Sequence, residues 1–241
     1  MRTPKVLLVS MPFGALERQA LGISILKAIL VERGIACDIR YLNFSFAELI
    51  GTDNYLWLSN DVPHTAFAGE WIFSRALYGK NAAAEANYIS EVLQDEWQLG
   101  GTSIQRILNA QNLVPHYLDF CAATVPWKDY AIVGFTSTFE QNLASLAMAL
   151  RIKRAHPNIQ IVFGGANWEG EMGRELHRQF SFVDFVCDGE ADESFPLLVE
   201  RIFSERCTKK ALDQVKGIVY RSNGASVYTG RAAFVQDIMT N

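Results

Sequence analysis

The segment Ile161–Gly173, IVFGGANWEGEMG, has the pattern of a strand, a glycine-rich loop and a helix start. Glycines at such a place are typical of phosphate-binding loops, because backbone N–H groups and a helix N-terminus can approach an anion there. The spacing of Gly165 and Gly170 matches the first half of a nucleotide-triphosphate loop. Glu171 and Met172 then replace the Lys and the Ser or Thr that such a loop needs. We therefore expect the ligand of this loop not to be a polyphosphate.

The cysteines and histidines are scattered along the chain, without the close spacing that a metal site requires. Cysteines placed in this way are usually small buried apolar residues. The sequence therefore predicts no metal ligand set. The residues concerned are Cys37, Cys121, Cys187 and Cys207, and His64, His116, His156 and His177.

No serine in a G-x-S-x-G turn is present to act as a nucleophile. The acidic residues Asp188, Glu190, Asp192 and Glu193 could serve as general bases. Acidic residues in this pattern more often cap a helix or form its solvated first turn. We therefore assign no catalytic residue from the sequence.

The chain has 241 residues, of which 49% are hydrophobic, and a formal net charge of −4. This composition suits a chain with an ordinary core and gives no sign of a surface for nucleic acids or anionic membranes. The N-terminus lacks the long apolar region of an export signal, and no apolar run could cross a bilayer. A cytoplasmic protein is the expectation.

Five short apolar segments alternate with helical patterns, which predicts an open, doubly wound parallel sheet of the Rossmann-like, flavodoxin-like type. The segment 217–230 reads as a C-terminal hairpin with a turn at Asn223-Gly224, which could extend the sheet. Gly34 is expected to end the first helix. The strand segments are 5–10, 36–43, 130–138, 159–165 and 183–190, and the helical segments are 20–34, 139–157, 169–180 and 192–205.

Residues 44–129 separate the second and third predicted strands and are far too many for a normal crossover. They are rich in Trp, Tyr, Phe and helix-forming residues, which predicts a folded helical insertion. Its aromatic residues are expected to pack it onto the body of the domain. A minority could instead line a surface for a ligand or partner.

Four loops should meet where the carboxyl ends of the parallel strands lie together, which is the usual ligand site of such a sheet. They offer hydroxyls, amides and unobstructed glycine backbone with few cations, an inventory that suits a large neutral ligand with many amides. The predicted ligand-binding residues are Ser10, Met11, Pro12, Phe13, Thr136, Ser137, Thr138, Phe139, Gln141, Asn142, Gly164, Gly165, Ala166, Asn167, Trp168, Gly189 and Glu190.

Successive segments resemble the N-terminal part of the cobalamin-dependent radical S-adenosylmethionine enzymes, and more narrowly the members that mature ribosomally made peptides. The resemblance covers nearly the whole chain and is most specific in the loops after the third and fourth strands. The segments are VLLVSMPF, LGISILKAIL, CDIRYLNFSFAELIG, GEWIFSRALYG, GFTSTFEQN, IVFGGANWEGEMG and VDFVCDGEADESFP.

The resemblance implies that residues 1–241 form a single Rossmann-like cobalamin-binding domain. Thr136–Thr138 would correspond to the hydroxyl motif that faces the nucleotide tail, and Gly164 and Gly165 to the glycine pair that the ligand approaches. Methionine-synthase-like domains carry D-x-H-x-x-G in the first loop, but this loop has no histidine. Base-off methylcobalamin without a cobalt ligand from this loop is therefore implied.

In the family, a radical S-adenosylmethionine domain with a [4Fe-4S] cluster follows, and methylcobalamin supplies a methyl group to a peptide or small-molecule substrate. The C-x-x-x-C-x-x-C cluster motif is not found in these 241 residues. The expectation is a module, naturally short or truncated, that binds cobalamin and does not catalyse alone. The alternatives are a flavodoxin-like domain that binds FMN and a ligand-free protein-interaction domain.

Overall fold

The apolar segments predicted as strands form one mixed sheet in the structure. The structure is a computed structural model that describes residues 4–204 and 208–232. The strand order is β2-β1-β3-β4-β5-β6-β7, and the first five strands are parallel. This order confirms the predicted doubly wound, flavodoxin-like sheet. The strands are β1 Val6–Ser10, β2 Cys37–Tyr41, β3 Ile132–Thr136, β4 Gln160–Gly164, β5 Phe185–Cys187, β6 Ile218–Ser222 and β7 Ala225–Tyr228.

Helices cover both faces of this sheet, and they include the four that were predicted outside residues 44–129. None of those in the described ranges has both the length and the apolar content needed to span a bilayer. The α-helices are α1 Leu21–Glu32, α2 Leu42–Ile50, α3 Thr52–Leu56, α4 Ala68–Tyr78, α5 Ala82–Asn87, α6 Gly101–Thr124, α7 Asn142–Ala155, α8 Gly170–Gln179, α9 Ser194–Phe203 and α10 Lys209–Leu212. Trp57–Asp61 and Tyr88–Glu96 are π-helical, and short 3₁₀ turns lie at His64–Ala66, Trp127–Asp129, Phe139–Gln141 and Ala166–Trp168.

The C-terminal hairpin forms as expected and enlarges the sheet. Asn223 and Gly224 both have positive φ, 50° and 80°, which is the backbone of a type I′ turn. Strand β6 pairs antiparallel with β5, and β7 pairs antiparallel with β6. The hairpin therefore extends the parallel sheet beyond β5.

The carboxyl end of α1 and the amino end of α7 show how local residues set helix boundaries. Gly34, with φ of 74°, follows α1, and the amide of Ile35 donates to the Leu30 carbonyl at 2.9 Å. This left-handed glycine cap was predicted. Helix α7 begins later than predicted, at Asn142, because a 3₁₀ turn with a non-helical Glu140 precedes it.

The segment between β2 and β3 is helical, as predicted, and packs on the same sheet face as α7. Its aromatic side chains join the main core: the Phe46 ring centroid lies 4.9 Å from that of Tyr117 and 5.2 Å from that of Phe73. The ring centroid of Phe13, in the loop after β1, lies 5.0 Å from that of Tyr55 in the insertion. The first two contacts pack the insertion internally, whereas Phe13, whose ring also meets that of Phe46 at 5.8 Å, fastens the insertion to the body of the domain.

Helices α1 and α9 cover the opposite face of the sheet and form a second core cluster with it. Near their carboxyl ends, Arg33 Nη1, directly after α1, donates to Glu200 Oε1 of α9 at 3.1 Å. Their amino ends lie beside the carboxyl ends of the strands. A cavity lies between them there.

Candidate functional site

The cavity opens where strand order reverses, between β1 and β3, which is the ligand position expected for this class of sheet. Its volume is about 310 Å³. Residues of β1, β3, β4 and β5 form its floor, and the amino-terminal turns of α1 and α9 form its sides. We call it the apolar cavity, and its side-chain lining includes Leu8, Leu21, Ile25, Leu26, Cys187 and Phe195.

Two apolar side chains of α1, Leu21 and Ile25, remain exposed to solvent beside this cavity. The sequence places Leu21 and Ile25 on an apolar stripe, yet Leu21 is 71% exposed and Ile25 is 38% exposed. The core contacts of α1 come instead from Ile23 and Leu30. Exposed apolar residues beside a concave space are typical of a ligand pocket.

Glycines keep the floor of the apolar cavity free of side chains. Gly164 lines it at the end of β4, and a methyl group built there would lie 3.7 Å from Cys187 Cβ, an ordinary van der Waals contact. Gly134 also lines it, but a methyl group there would come within 2.8 Å of Leu8 Cδ2. The neighbouring protein atoms therefore leave room for a side chain at 164, although the cavity would narrow.

The rim of the apolar cavity carries acidic groups and no lysine or arginine among the described lining residues. Glu190 and Asp192 lie there. Burial, and then the neighbouring carboxylates Glu190 and Glu193, raise the pKa of Asp192. This electrostatic environment disfavours a polyphosphate, in agreement with the sequence prediction.

A polar loop network, made of Ser137, Gln141, Asn142, Asn167 and Trp168, joins the loops after β3 and β4. Ser137 Oγ donates to Asn142 Oδ1 at 2.8 Å, and Trp168 Nε1 donates to the same oxygen at 2.9 Å. Asn167 Nδ2 donates to Ser137 Oγ at 3.1 Å. Ser137 and Trp168 are fully buried, so these side chains hold the loops together.

Gln141 connects this network to the loop after β1. Its Nε2 donates to the Met11 carbonyl at 2.7 Å and to Ser10 Oγ at 3.4 Å. Its Oε1 accepts from the Thr138 amide at 3.0 Å, which forms a capping box. Three of the four loops predicted to surround a ligand are thus bonded directly to one another.

Gly165 explains why the loop after β4 needs its second glycine. Its φ is +94°, and a Cβ there would lie only 2.6 Å from the Ser137 carbonyl oxygen. The sequence analysis assigned this close backbone approach to a ligand. In the structure the backbone of Ser137 occupies that position, while Gly165 also lines the apolar cavity.

Comparison with solved structures finds similarity to TsrM, a radical S-adenosylmethionine methyltransferase from Kitasatospora setae. A TsrM structure with cobalamin and a [4Fe-4S] cluster bound is 14% identical with a TM-score of 0.48, and the match covers 95% of this chain and 29% of that chain. A second TsrM structure, with tryptophan substrate and the S-adenosylmethionine analogue aza-SAM bound, has the same identity and TM-score. That match covers 93% of this chain and 30% of the TsrM chain. The chain thus spans less than a third of these chains.

No protein-family model matches the chain, and no curated protein matches it.

The predicted ligand-binding residues fall into three groups. Those that line the apolar cavity are Thr136, Gly164, Gly165, Gly189 and Glu190. Those buried in loop contacts are Ser10, Met11, Pro12, Phe13, Ser137, Gln141 and Trp168, with Asn142 and Asn167 partly buried beside them. Those exposed at the same edge are Thr138, Phe139 and Ala166.

Phe139 differs most from its predicted surroundings. The sequence analysis placed it at the start of the helical segment 139–157, but it precedes α7, is 76% exposed and has a positive φ of 46°. Its carbonyl accepts from Asn167 Nδ2 at 2.6 Å, and its ring stacks on His64 at 5.7 Å. The tight turn after Thr138, rather than helix geometry, directs this ring outward.

The cavity residues on α1, β5 and α9 were not predicted. No motif marks Leu21, Ile25 or Phe195, because apolar residues in helices normally indicate core. One signal was available: α1 carries more apolar residues than a single buried stripe needs. Such an excess at the amino end of a helix beside the strand ends could have identified the cavity side.

Side chains that could bind metal or act as nucleophiles are not assembled here. No cluster of three or more His, Cys, Asp or Glu side chains suited to a metal occurs in residues 4–204 and 208–232. Burial raises the pKa of the Cys187 thiol to about 12, which keeps it protonated. His177 is fully buried, with Nδ1 2.7 Å from Ser226 Oγ, and burial lowers its pKa to about 4.

Proposed function

We propose that this chain is a cobalamin-binding module. The observation that supports this most is the apolar cavity, which lies at the sheet's topological switch point and whose described lining contains no lysine or arginine. An apolar cavity without cations suits the flat benzimidazole base of the nucleotide tail, whereas polyphosphate cofactors need cations or free backbone amides. The resemblance of the loop segments to cobalamin domains supports the same ligand.

The residues around the cavity fit such a ligand. Gly164, Gly165 and Gly189 expose backbone at the strand ends, and Thr136 adds a hydroxyl there. These groups would hold the tail, and Thr138 and Asn167 could meet the peripheral amides of the corrin. No histidine lies in the loop after β1, so we propose base-off binding without a cobalt ligand from that loop. When bound, methylcobalamin would supply a transferable methyl group.

Reconstitution with hydroxocobalamin tests this proposal. The chain is mixed with hydroxocobalamin or with FMN, separated from free ligand by gel filtration, and examined by absorbance spectroscopy. We expect a stoichiometric corrinoid complex with a base-off spectrum and no retained FMN. A yellow protein with bound FMN would support the flavodoxin-like alternative, and retention of neither ligand would contradict both cofactor proposals.

Gly164→Ala locates the ligand. The added methyl group should narrow the apolar cavity and weaken hydroxocobalamin binding about tenfold, the equivalent of about 1.4 kcal/mol. Gly101→Ala is the matched control, because Gly101 starts α6, has no atoms near its Cβ position and does not line the cavity. Equal affinity in the two variants would contradict this placement.

We further propose that the module belongs to a radical S-adenosylmethionine methyltransferase of the cytoplasm that acts on a peptide or small molecule. This rests on the resemblance of the loop segments, since these 241 residues contain no three-cysteine cluster motif. Isolation of the native protein tests it through the metals that co-purify. Iron and sulfide together with cobalt are expected, and cobalt without iron would contradict the proposal.

A further inference from the structure

Two carboxylates are enclosed where the insertion meets the loop between β3 and α7. Glu70 lies in the first turn of α4, and Glu140 lies in the 3₁₀ turn that precedes α7. Glu140 is only 5% exposed. Buried carboxylates are costly unless hydrogen bonds compensate for lost water, and the bonds that they make run between the two elements.

Glu70 caps α7 from the insertion. Its Oε1 accepts from the Asn142 amide at 3.0 Å, and its Oε2 accepts from the Leu143 amide at 2.6 Å. These amides belong to the first turn of α7, where no partner exists within the helix. A negative charge at this end also interacts favourably with the helix dipole.

Glu140 makes the reciprocal bond. Its Oε1 accepts from the Gly69 amide at 3.1 Å, at the start of α4. The side chains of Phe13 and Glu140 lie close to the Gly69 backbone here, because a Cβ on Gly69 would lie 2.6 Å from the Phe13 ring and 2.9 Å from Glu140 Cβ. Each of the two helices is therefore capped by a carboxylate from the other side of the junction.

We propose that Glu70 and Glu140 are positioning residues that hold the loop 136–142 in the shape that completes the ligand site. The inference rests on the proposed cobalamin-binding function. The Asn142 amide is bonded to Glu70 and its side chain to Ser137 and Trp168, so movement of Asn142 would disturb the polar loop network. The insertion thus acts on the site through backbone amides.

The two carboxylates differ in a way that a conservative substitution reveals. Glu70 uses both of its oxygens as acceptors, whereas Glu140 uses one. A glutamine has a single acceptor oxygen, and its NH₂ group cannot accept a hydrogen bond from an amide. Glu140→Gln can therefore keep its bond to Gly69, but Glu70→Gln must lose one of its two bonds.

Hydrogen exchange of the ligand-free chain and hydroxocobalamin affinity are measured for both Glu→Gln and both Glu→Ala variants. Loss of both Glu70 bonds should speed exchange at Asn142 and Leu143 about tenfold or more and weaken affinity about tenfold. Glu140→Ala removes the acceptor of the Gly69 amide and should speed hydrogen exchange at that amide by a similar factor. Glu140→Gln should stay within about twofold of the unmodified chain in both measurements, and Glu70→Gln should fall between it and Glu70→Ala.

Glu85→Ala is the matched control, because Glu85 also accepts two bonds in the insertion, from Arg75 at 2.6 Å each, yet does not contact the loop. It should leave exchange in the loop and affinity unchanged. Equal loss in Glu85→Ala and Glu70→Ala, or equal affinity in all variants, would overturn the positioning role. Failure of the unmodified chain to bind hydroxocobalamin, with exchange following the expected pattern, would instead contradict the proposed function.

Discussion

The apolar cavity and the polar loop network lie at the same edge of the sheet but use their residues in opposite ways. In the network, the buried Ser137 and Trp168 side chains both donate to Asn142, which is partly buried. Beside the cavity, Leu21 and Ile25 contact no core and remain uncovered. The difference indicates that the polar residues shape the site, while glycines and apolar side chains provide the accessible space.

The largest expected effect separates the two adjacent glycines of the loop after β4. Gly165→Ala must hold a side chain at φ of +94° and only 2.6 Å from the Ser137 carbonyl, so its free energy of unfolding should fall by about 3 kcal/mol. Gly164→Ala meets only ordinary contacts and should change it by less than about 1 kcal/mol. Urea unfolding followed by circular dichroism measures both, and equal stability would show that the loop does not need Gly165.

The second effect concerns Glu140 and pH. Burial, and then the nearby charge of Glu70, raise the pKa of Glu140 from 4.5 to about 7, although the Gly69 amide acts in the opposite direction. The folded state therefore binds this proton more tightly than the unfolded state, and the free energy of unfolding should fall as pH rises from about 4.5 to 7. This titration changes the free energy of unfolding by on the order of 3 kcal/mol. Glu70, with a pKa also raised by burial, and nearby Tyr88 face the same group.

Glu140→Gln removes this titration and should flatten the decline in stability between pH 5 and pH 8. The decline should not vanish, because Glu70 has a raised pKa and contributes in the same direction. Urea unfolding at several pH values measures the slope. An unchanged slope in the variant would mean that Glu140 is already ionised at pH 5 in the folded chain.

The sheet could be predicted because each strand and helix carries its own local signal. The apolar run of β1, the left-handed cap at Gly34 and the Asn223-Gly224 turn all act within a few residues, and each is present as expected. The prediction that 44–129 is helical follows from composition in the same way. The bounds of the predicted 1–241 domain remain a prediction.

The candidate site was less predictable because burial there depends on which loops meet. Asn167 and Gln141 have the same side-chain chemistry whether they bind a ligand or another loop, and only tertiary contact decides between these roles. The reciprocal caps of Glu70 and Glu140 join residues 71 and 72 positions apart in sequence and carry no local pattern. Exposure of Leu21 likewise follows from the gap between α1 and α9, not from its neighbours in sequence.

The smallest effect on stability, and the sharpest test of the apolar cavity, comes from two exposed positions of α1. Leu21, 71% exposed, lines the cavity, whereas Val31, 55% exposed, lies near the other end of the helix and does not. Each substitution by serine should change the free energy of unfolding by less than about 0.5 kcal/mol. Leu21→Ser should nevertheless weaken hydroxocobalamin binding about tenfold, because a ligand in the cavity would cover this leucine.

Val31→Ser should keep the affinity of the unmodified chain, and titration followed by absorbance measures both variants. A loss confined to Leu21→Ser would show that the uncovered apolar surface is used by the ligand, although the fold does not require it. Equal affinity in the two variants would mean that this leucine contributes nothing to binding.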